Sequence, residues 1–435
     1  MLKSHSKLIS RLAFLLVMLV SNVAYAQMEC RSTLGAHLTP FYKEVPILWA
    51  IEGTMAPGIM TSPYNSTDFT KLNGGMILAA LDFTIAKKHN LYLEGGYKNW
   101  ITSDFVPDEE THSARHFGMR QVFYSYGSES FNVKAGLHET KLGSFPIVDE
   151  RVLGVSIDKN MGAFELNLRG GTVMKNFARM GVFCSNRHLY GIISPNYTEN
   201  LGKKPGDTNF AGMTINWVPD KKQSQSRLEE SDNSFDEFSN PAQNQSFKFT
   251  NIQVLVYDEF GRENRIPDNK FYIGAFADIG IPYGLTVKTG TVYQNLKENN
   301  SLVYIADFGK MLTWQNGSAT KLNIAYLGKL DISDNSIYQP LFSNLFLGEI
   351  MRLDVFDFPL WTAEINHKFH SKLKFHTGIK MIGQIENQHT NEQDLEIGLT
   401  TLKNHLKITL IGSRVHTMLT PEDFYMIRTE IRLAF

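Results

Sequence analysis

Residues 424–435 read Phe-Tyr-Met-Ile-Arg-Thr-Glu-Ile-Arg-Leu-Ala-Phe, and the stretch alternates. In an extended chain Tyr425, Ile427, Thr429, Ile431, Leu433 and Phe435 share one face, and Met426, Arg428, Glu430, Arg432 and Ala434 share the other, because successive side chains of a strand point to opposite sides. One face suits hydrocarbon and the other suits water. The split recurs upstream, with Leu373, Phe375, Thr377, Ile379 and Met381 set against Lys374, His376, Gly378 and Lys380. It recurs again in Leu285, Val287, Thr289, Thr291 and Tyr293 against Thr286, Lys288, Gly290 and Gln294, where Val292 breaks the pattern, and in Phe131, Val133, Ala135 and Leu137 against Asn132, Lys134 and His138.

Composition narrows the classes. The chain has 435 residues, 43 Lys and Arg against 44 Asp and Glu, 12% aromatic residues, 33 Gly and 2 Cys. A nucleic-acid partner needs a basic excess to neutralise phosphates, and none is present. With 43% hydrophobic and 20% charged residues the chain is not disordered, and two cysteines do not make a disulfide scaffold. Lys3, Lys7 and Arg11, the apolar run Leu12 to Val20, and Ala24-Tyr25-Ala26 form the three parts of a cleaved signal peptide over residues 1–26. Its apolar run is too short to span a bilayer, which takes about 20 residues. Beyond it the sequence has no run of about 18 apolar residues, so a membrane crossing would have to use a closed β-barrel.

A soluble sandwich or propeller also alternates, so it stays open as an alternative that predicts recovery without detergent. Three features favour the membrane: segments of about 10 to 14 residues, aromatics near the ends of the apolar faces, and connections that alternate between tight and long. Tyr283, Trp314, Phe369 and Phe435 are expected at one rim, and Tyr293, Tyr304, Trp361 and Tyr425 at the other. The expected fold is an all-β transmembrane antiparallel barrel of about 18 strands, within a range of 16 to 20. Candidate strands begin near Val45, Leu72, Asn90, Ala114, Ser130, Arg151, Ala163, Asn209, Phe247, Phe271, Gly284, Ser301, Ala319, Phe358, Lys372, Asp394, His405 and Asp423. Residues 27–44 are expected to be a periplasmic tail and 45–435 the barrel. The long connections are 176–207 and 332–354 outside the cell and 219–245 in the periplasm.

The signal peptide, the amphipathic strands and the terminal strand ending in Ile431, Leu433 and Phe435 resemble Gram-negative outer-membrane barrels of the porin class. That resemblance implies an outer-membrane location, contact with outer-membrane lipid, and recognition of the terminal strand by the barrel-assembly machinery. Within the class, Gly136-Leu137-His138, Asp149-Glu150-Arg151-Val152-Leu153-Gly154 and Phe164-Glu165-Leu166 loosely resemble the alginate-export channels. Those channels present a strongly basic lumen, and this sequence does not clearly do so.

On this register Arg120, Lys134, Arg169, Lys288, Lys374, Lys380, Arg428, Glu430 and Arg432 are the channel-lining candidates. With Lys98, Lys329 and Lys407 also read inward, and Glu52, Asp82, Glu94, Glu165, Asp278, Asp331 and Glu364 joining Glu430 on the acidic side, the lumen has a slight basic excess and a mild preference for anions. Arg428, Glu430 and Arg432 could equally pair among themselves. The apolar run Leu341-Phe342-Ser343-Asn344-Leu345-Phe346-Leu347 is unusual for a solvated connection. It is read either as an inward constriction or partner face, or as a strand extended beyond the bilayer.

Signatures of catalysis are missing: there is no phosphate-binding loop, no Gly-x-Ser-x-Gly turn and no His-Glu-x-x-His, and neither an enzyme nor a cofactor is expected. His367, His370 and His376, with His112 and His116, are the best metal-like grouping, and isolated rim histidines explain them more simply. Cys30 and Cys184 could bridge in an oxidising compartment, although the topology puts them at opposite ends of the barrel. The leading function is therefore a passive channel for small polar solutes or an exported glycan. The alternative is a non-conducting barrel used in surface-polysaccharide attachment or assembly, or as part of a membrane complex.

Overall fold

The computed structural model describes residues 34–42, 45–61, 69–102, 112–143, 148–173, 208–219, 247–261, 270–296, 299–332, 359–370, 374–384, 390–418 and 420–435. They form 19 strands in one sheet. In chain order these are β1 (Thr39–Tyr42), β2 (Val45–Thr61), β3 (Phe69–Ala86), β4 (His89–Thr102), β5 (His112–Gly127), β6 (Phe131–Leu142), β7 (Val148–Met161), β8 (Phe164–Val173), β9 (Thr208–Trp217) and β10 (Lys248–Gly261). They continue with β11 (Lys270–Ile281), β12 (Leu285–Leu296), β13 (Asn299–Thr313), β14 (Ala319–Asp331), β15 (Leu360–Lys368), β16 (Lys374–Gln384), β17 (Asn391–Thr401), β18 (Leu406–His416) and β19 (Phe424–Ala434). Every start expected from the sequence lies within three residues of one of these.

Each strand from β2 to β19 pairs antiparallel with the next, and β19 closes the ring on β2 from Met426↔Met60 to Ala434↔Glu52. Over the paired span closure leaves no open edge among these 18 strands, which is what a lipid-facing sheet requires. Phe435 finishes the seam by exchanging two backbone hydrogen bonds of 2.8 Å with Ile51.

Below that point β2 has no further β19 residue to pair with. There β1 takes over, with Thr39 opposite Trp49 and Tyr42 opposite Val45, preceded by a 3₁₀ turn at Leu34–His37. The stretch read as a tail therefore contains a strand, and the unpaired edge of β2 is the physical reason it orders.

The two-residue period assigns the faces. In β11 Lys270, Tyr272, Gly274 and Phe276 are buried toward the lumen, while Phe271, Ile273 and Ala275 are exposed on the outer wall. In β19 Met426, Arg428, Glu430, Arg432 and Ala434 point inward and Tyr425 and Ile427 outward. The outward set reads as a lipid-facing band, and Tyr283, Trp314 and Phe369 stand exposed at its short-turn rim. Among the described residues no helix is long and apolar enough to cross a membrane.

Tight turns join the strands at one rim. Tyr283 and Gly284 take φ of 67° and 71° between β11 and β12, and Leu402, Lys403 and Asn404 are all left-handed between β17 and β18. Two central residues with positive φ match the twist of a hairpin. The termini of the barrel, Val45 and Ala434, lie at this same rim. The strand ends Val173, Thr208, Asp331 and Leu360 lie at the opposite rim, and Trp217 and Lys248 lie at the short-turn rim. The run 341–347, Cys30 and Cys184 lie outside the described residues.

Candidate channel site

One hairpin does not stay in the wall. β5 and β6 pair only from Gly127↔Asn132 to Val122↔Leu137, yet β6 and β7 remain paired to Leu142↔Val148. Gly136, Gly154 and Gly171 stand in register across β6, β7 and β8 at the point of departure. A Cβ on Gly154 would come within 2.0 Å of the Gly170 carbonyl oxygen, and one on Gly136, at φ +124°, within 2.4 Å of that of Val122. Only glycine allows the backbones to approach this closely and the strands to bend. Beyond the bend the hairpin folds over the inner face. Leu142 is buried and reaches the lumen side of β9, where its Cδ2 would lie 2.4 Å from a Cβ on Gly212, beside Tyr257 of β10.

A charged cluster sits under this hairpin. A bulge between Glu94 and Gly95 on one side and Met119 and Gln121 on the other leaves Arg120 as the extra residue of β5. Bulges re-aim side chains, and here Arg120 and Gln121 both turn inward. Glu94 accepts hydrogen bonds from Tyr92 Oη at 2.9 Å and Gln121 Nε2 at 3.0 Å, and its Oε1 lies 3.5 Å from Arg120 Nε. Arg120 and Glu94 are each only 1% exposed, so each is held in the low-dielectric wall by the other's charge. Arg151, on the hairpin, is fully buried with its Nη2 3.7 Å from Glu139.

The remaining sequence candidates are distributed round the lumen rather than gathered. Lys134 places Nζ 5.3 Å from the Phe123 ring centroid. Arg169 binds Asp158 at 2.5 Å. Lys288 lies between Asp278 and Asp307 in register and is exposed to the lumen. Lys374 sits opposite Thr400, and Lys380 is flanked by Glu364 and Asp394. Arg432 donates to Glu430 at 3.1 Å, so the terminal strand neutralises part of its own charge, while Arg428 is buried on the same face. The structure adds Asp158, Glu259, Asp307, Glu392, Asp394 and Glu396 to the inner face, against Lys270, Lys321 and Lys368. The basic excess read from the sequence is thereby cancelled, and the lumen is mixed in charge.

The histidine grouping separates. His376 faces inward, with Nε2 2.8 Å from Glu396, whereas His367 faces outward, with Nδ1 2.8 Å from Thr320 Oγ1. Opposite faces of the wall cannot share a metal ion.

Sequence reading missed an apolar belt on the lumen face toward the long-connection rim. Met60, Tyr257, Tyr272, Val292, Val303, Leu360, Ile382, Val415 and Met426 all point inward and are at most 1% exposed. The break at Val292 in the alternation of β12 was its one visible trace. Near the short turns, by contrast, inward Thr286 and Lys288 are open to solvent. Elsewhere toward the short turns Glu52, Arg432 and Ala434 are buried, so the inner face is covered unevenly round the barrel.

These 18 closed strands, with apolar outer and charged inner faces, have the fold of an outer-membrane porin. No family model and no curated protein matches the sequence. Among solved structures the chain is similar to a BenF-like porin from Pseudomonas fluorescens Pf-5, with TM-score 0.55 and 8% identity over 91% of this chain and 100% of that one. It is also similar to Pseudomonas aeruginosa OpdK solved with vanillate, with TM-score 0.53 and 10% identity over 89% and 98%. A third is P. aeruginosa OccK2 (OpdF) in complex with glucuronate, with TM-score 0.52 and 10% identity over 89% and 96%. The likeness to alginate exporters gains no support from these neighbours.

Proposed function

We propose that the protein is a passive outer-membrane channel for small polar solutes. The observation that carries this is the closed ring of 18 strands lined by Arg, Lys, Asp and Glu, with the inward β6–β7 hairpin narrowing it over β9 and β10. In a barrel this wide the wall's own side chains do not fill the lumen, and a hairpin folded inside sets the passage. Two similar porins were solved with vanillate and with glucuronate, both small carboxylates, and the reading carries over the class of small polar solute. The mixed charge here favours solutes carrying both donor and acceptor groups over simple anions. Purified protein in a planar bilayer should give discrete conductance steps, and their absence at all voltages would sink the reading.

A non-conducting barrel used in surface attachment or a membrane complex is the second reading, and the buried apolar belt favours it. Silent bilayers together with loss of surface polysaccharide in a deletion strain would select it. Export by cleavage after Ala26 and assembly through the strand ending in Phe435 belong to both readings. The first predicts a mature N-terminus at Gln27, and the second predicts poor membrane insertion when Phe435 is removed. With the barrel termini in the periplasm, the rim of Val173, Thr208, Asp331 and Leu360 faces outward from the cell.

A further inference from the structure

We propose that the outer wall carries a site for the phosphate of an anionic lipid headgroup, at the long-connection rim of strands β16 to β19. Four register-matched positions place it. Met381, Gln393, Arg414 and Tyr425 lie side by side on the outward face, and one step closer to the rim Gly383, Asn391 and His416 do the same. Arg414 and His416 are therefore cationic or cation-forming groups on a wall whose next residues toward the membrane centre are Ile379, Leu395 and Ile427, all about half exposed. Charged groups on a lipid face are costly at the midplane and cheap only at the interface, where headgroups meet them.

Three features shape the place into a site. A cavity of about 270 Å³ opens beside the two cations, lined on the outward side by Trp361, Met381, Gly383, Asn391 and Gln393, and Arg414 and His416 flank it on the neighbouring strand without lining it. Its floor exists because Gly383 has no side chain: a Cβ would fall 2.3 Å from Trp361 Nε1, so the indole lies flat on the backbone. Directly membrane-ward of Arg414, Gly412 leaves a notch, with nothing within 4 Å of where its Cβ would be. An acyl chain fits that notch and the Ile379, Leu395 and Ile427 surface below it. Asp423 orients the cations, accepting from Arg414 Nε at 2.9 Å and Nη2 at 2.6 Å and lying 2.6 Å from His416 Nδ1. Arg414 side-chain exposure is 45%, so a phosphate approaching from the membrane side reaches its remaining donors.

The inference needs the barrel to sit in a bilayer and is independent of whether it conducts. The test is native mass spectrometry of the full chain released from nanodiscs of phosphatidylglycerol and phosphatidylcholine. Phosphatidylglycerol should be retained preferentially, and Arg414→Gln and His416→Gln should each lower its retention by about fivefold, the effect expected of one cation near a membrane surface. Asp423→Asn keeps a side-chain oxygen to hold the Arg414 guanidinium in place and removes the charge that competes with a phosphate, so it should raise retention. Gly412→Leu keeps every charge and fills the notch, so it should lower retention while the barrel stays folded by heat-modified gel migration. Equal retention of both lipids, or no response to any of the four variants, overturns the proposal. Loss of the bound lipid to millimolar inorganic phosphate would assign the site to a soluble anion and overturn the lipid reading. Conductance should be unchanged in all four variants, which separates a failure here from a failure of the channel function.

Discussion

Leu142 of the β6–β7 hairpin lies against Gly212 of β9, although β7 and β8 separate their strands in the wall. The contact exists only because the hairpin has left the barrel at the Gly136, Gly154 and Gly171 row and crossed the inner face. If the barrel conducts as proposed, the hairpin is a removable constriction. Gly212→Leu should displace Leu142 and cost about 1–3 kcal/mol, the usual penalty for overpacking. Since the wall is held by its own ladder, the main readout is single-channel conductance, which should rise. A conductance at or below that of the parent would show that the hairpin does not limit flow.

Removing one member of the Arg120 and Glu94 pair should be expensive. Each is buried beside the other, and stranding one buried charge costs about 3–5 kcal/mol, whereas removing both is much milder. Arg120→Met and Glu94→Gln should therefore each destabilise the folded barrel to urea in detergent, and the double variant should recover most of the loss. In bilayers the first single variant should shift the reversal potential toward cation selectivity and the second toward anions.

Acid should loosen the N-terminal segment. Burial, with His405 and Arg432 adding to it and Glu52 opposing, holds the His37 imidazole below its ordinary value. A lowered value means the docked state binds fewer protons than the released one, so docking gains from rising pH. Its contribution is complete above about pH 6.5, the unfolded value, and is lost as pH falls through the lowered docked value. A fluorophore near Thr39 should report release over that window. In His37→Gln the pH dependence should flatten, and an unaltered profile would rule His37 out as the titrating group.

A second acid-sensitive contact lies at the opposite rim. Burial works against the charged form of Asp423, but hydrogen bonds from His416 and Arg414 outweigh it and hold the carboxyl below the ordinary carboxylate range. The stabilisation is full above about pH 3.9 and disappears as pH falls through the lowered value. The stability gap between parent and Asp423→Asn should accordingly be present at neutral pH and close in strong acid.

The two faces should respond oppositely to charge. Leu410 faces outward among exposed apolar neighbours, and Leu410→Arg should cost about 2–4 kcal/mol if its position is near the bilayer midplane. Lys407→Gln on the inner face should change selectivity with little effect on stability. Equal stability losses would contradict the assignment of faces.

The face of each strand was legible locally. In Tyr425 to Ala434 a period of two sorts every side chain without reference to any other strand, and eighteen such segments joined by connections that alternate between tight and long imply an even-numbered barrel. Arg428, Glu430 and Arg432 could be placed inward on that basis alone. Alternation carries no information about partners several strands away. The inward turn of Arg120 depends on an extra residue that is only extra relative to β4, and the bend of the β6–β7 hairpin depends on three glycines that become one row only when β6, β7 and β8 are paired. The balance of lumen charge, the separation of His367 from His376 and the docking of β1 on the free edge of β2 likewise arise from register between distant segments, because hydrogen-bond pairing is a property of two chains at once and a strand's own sequence specifies only which way its side chains point.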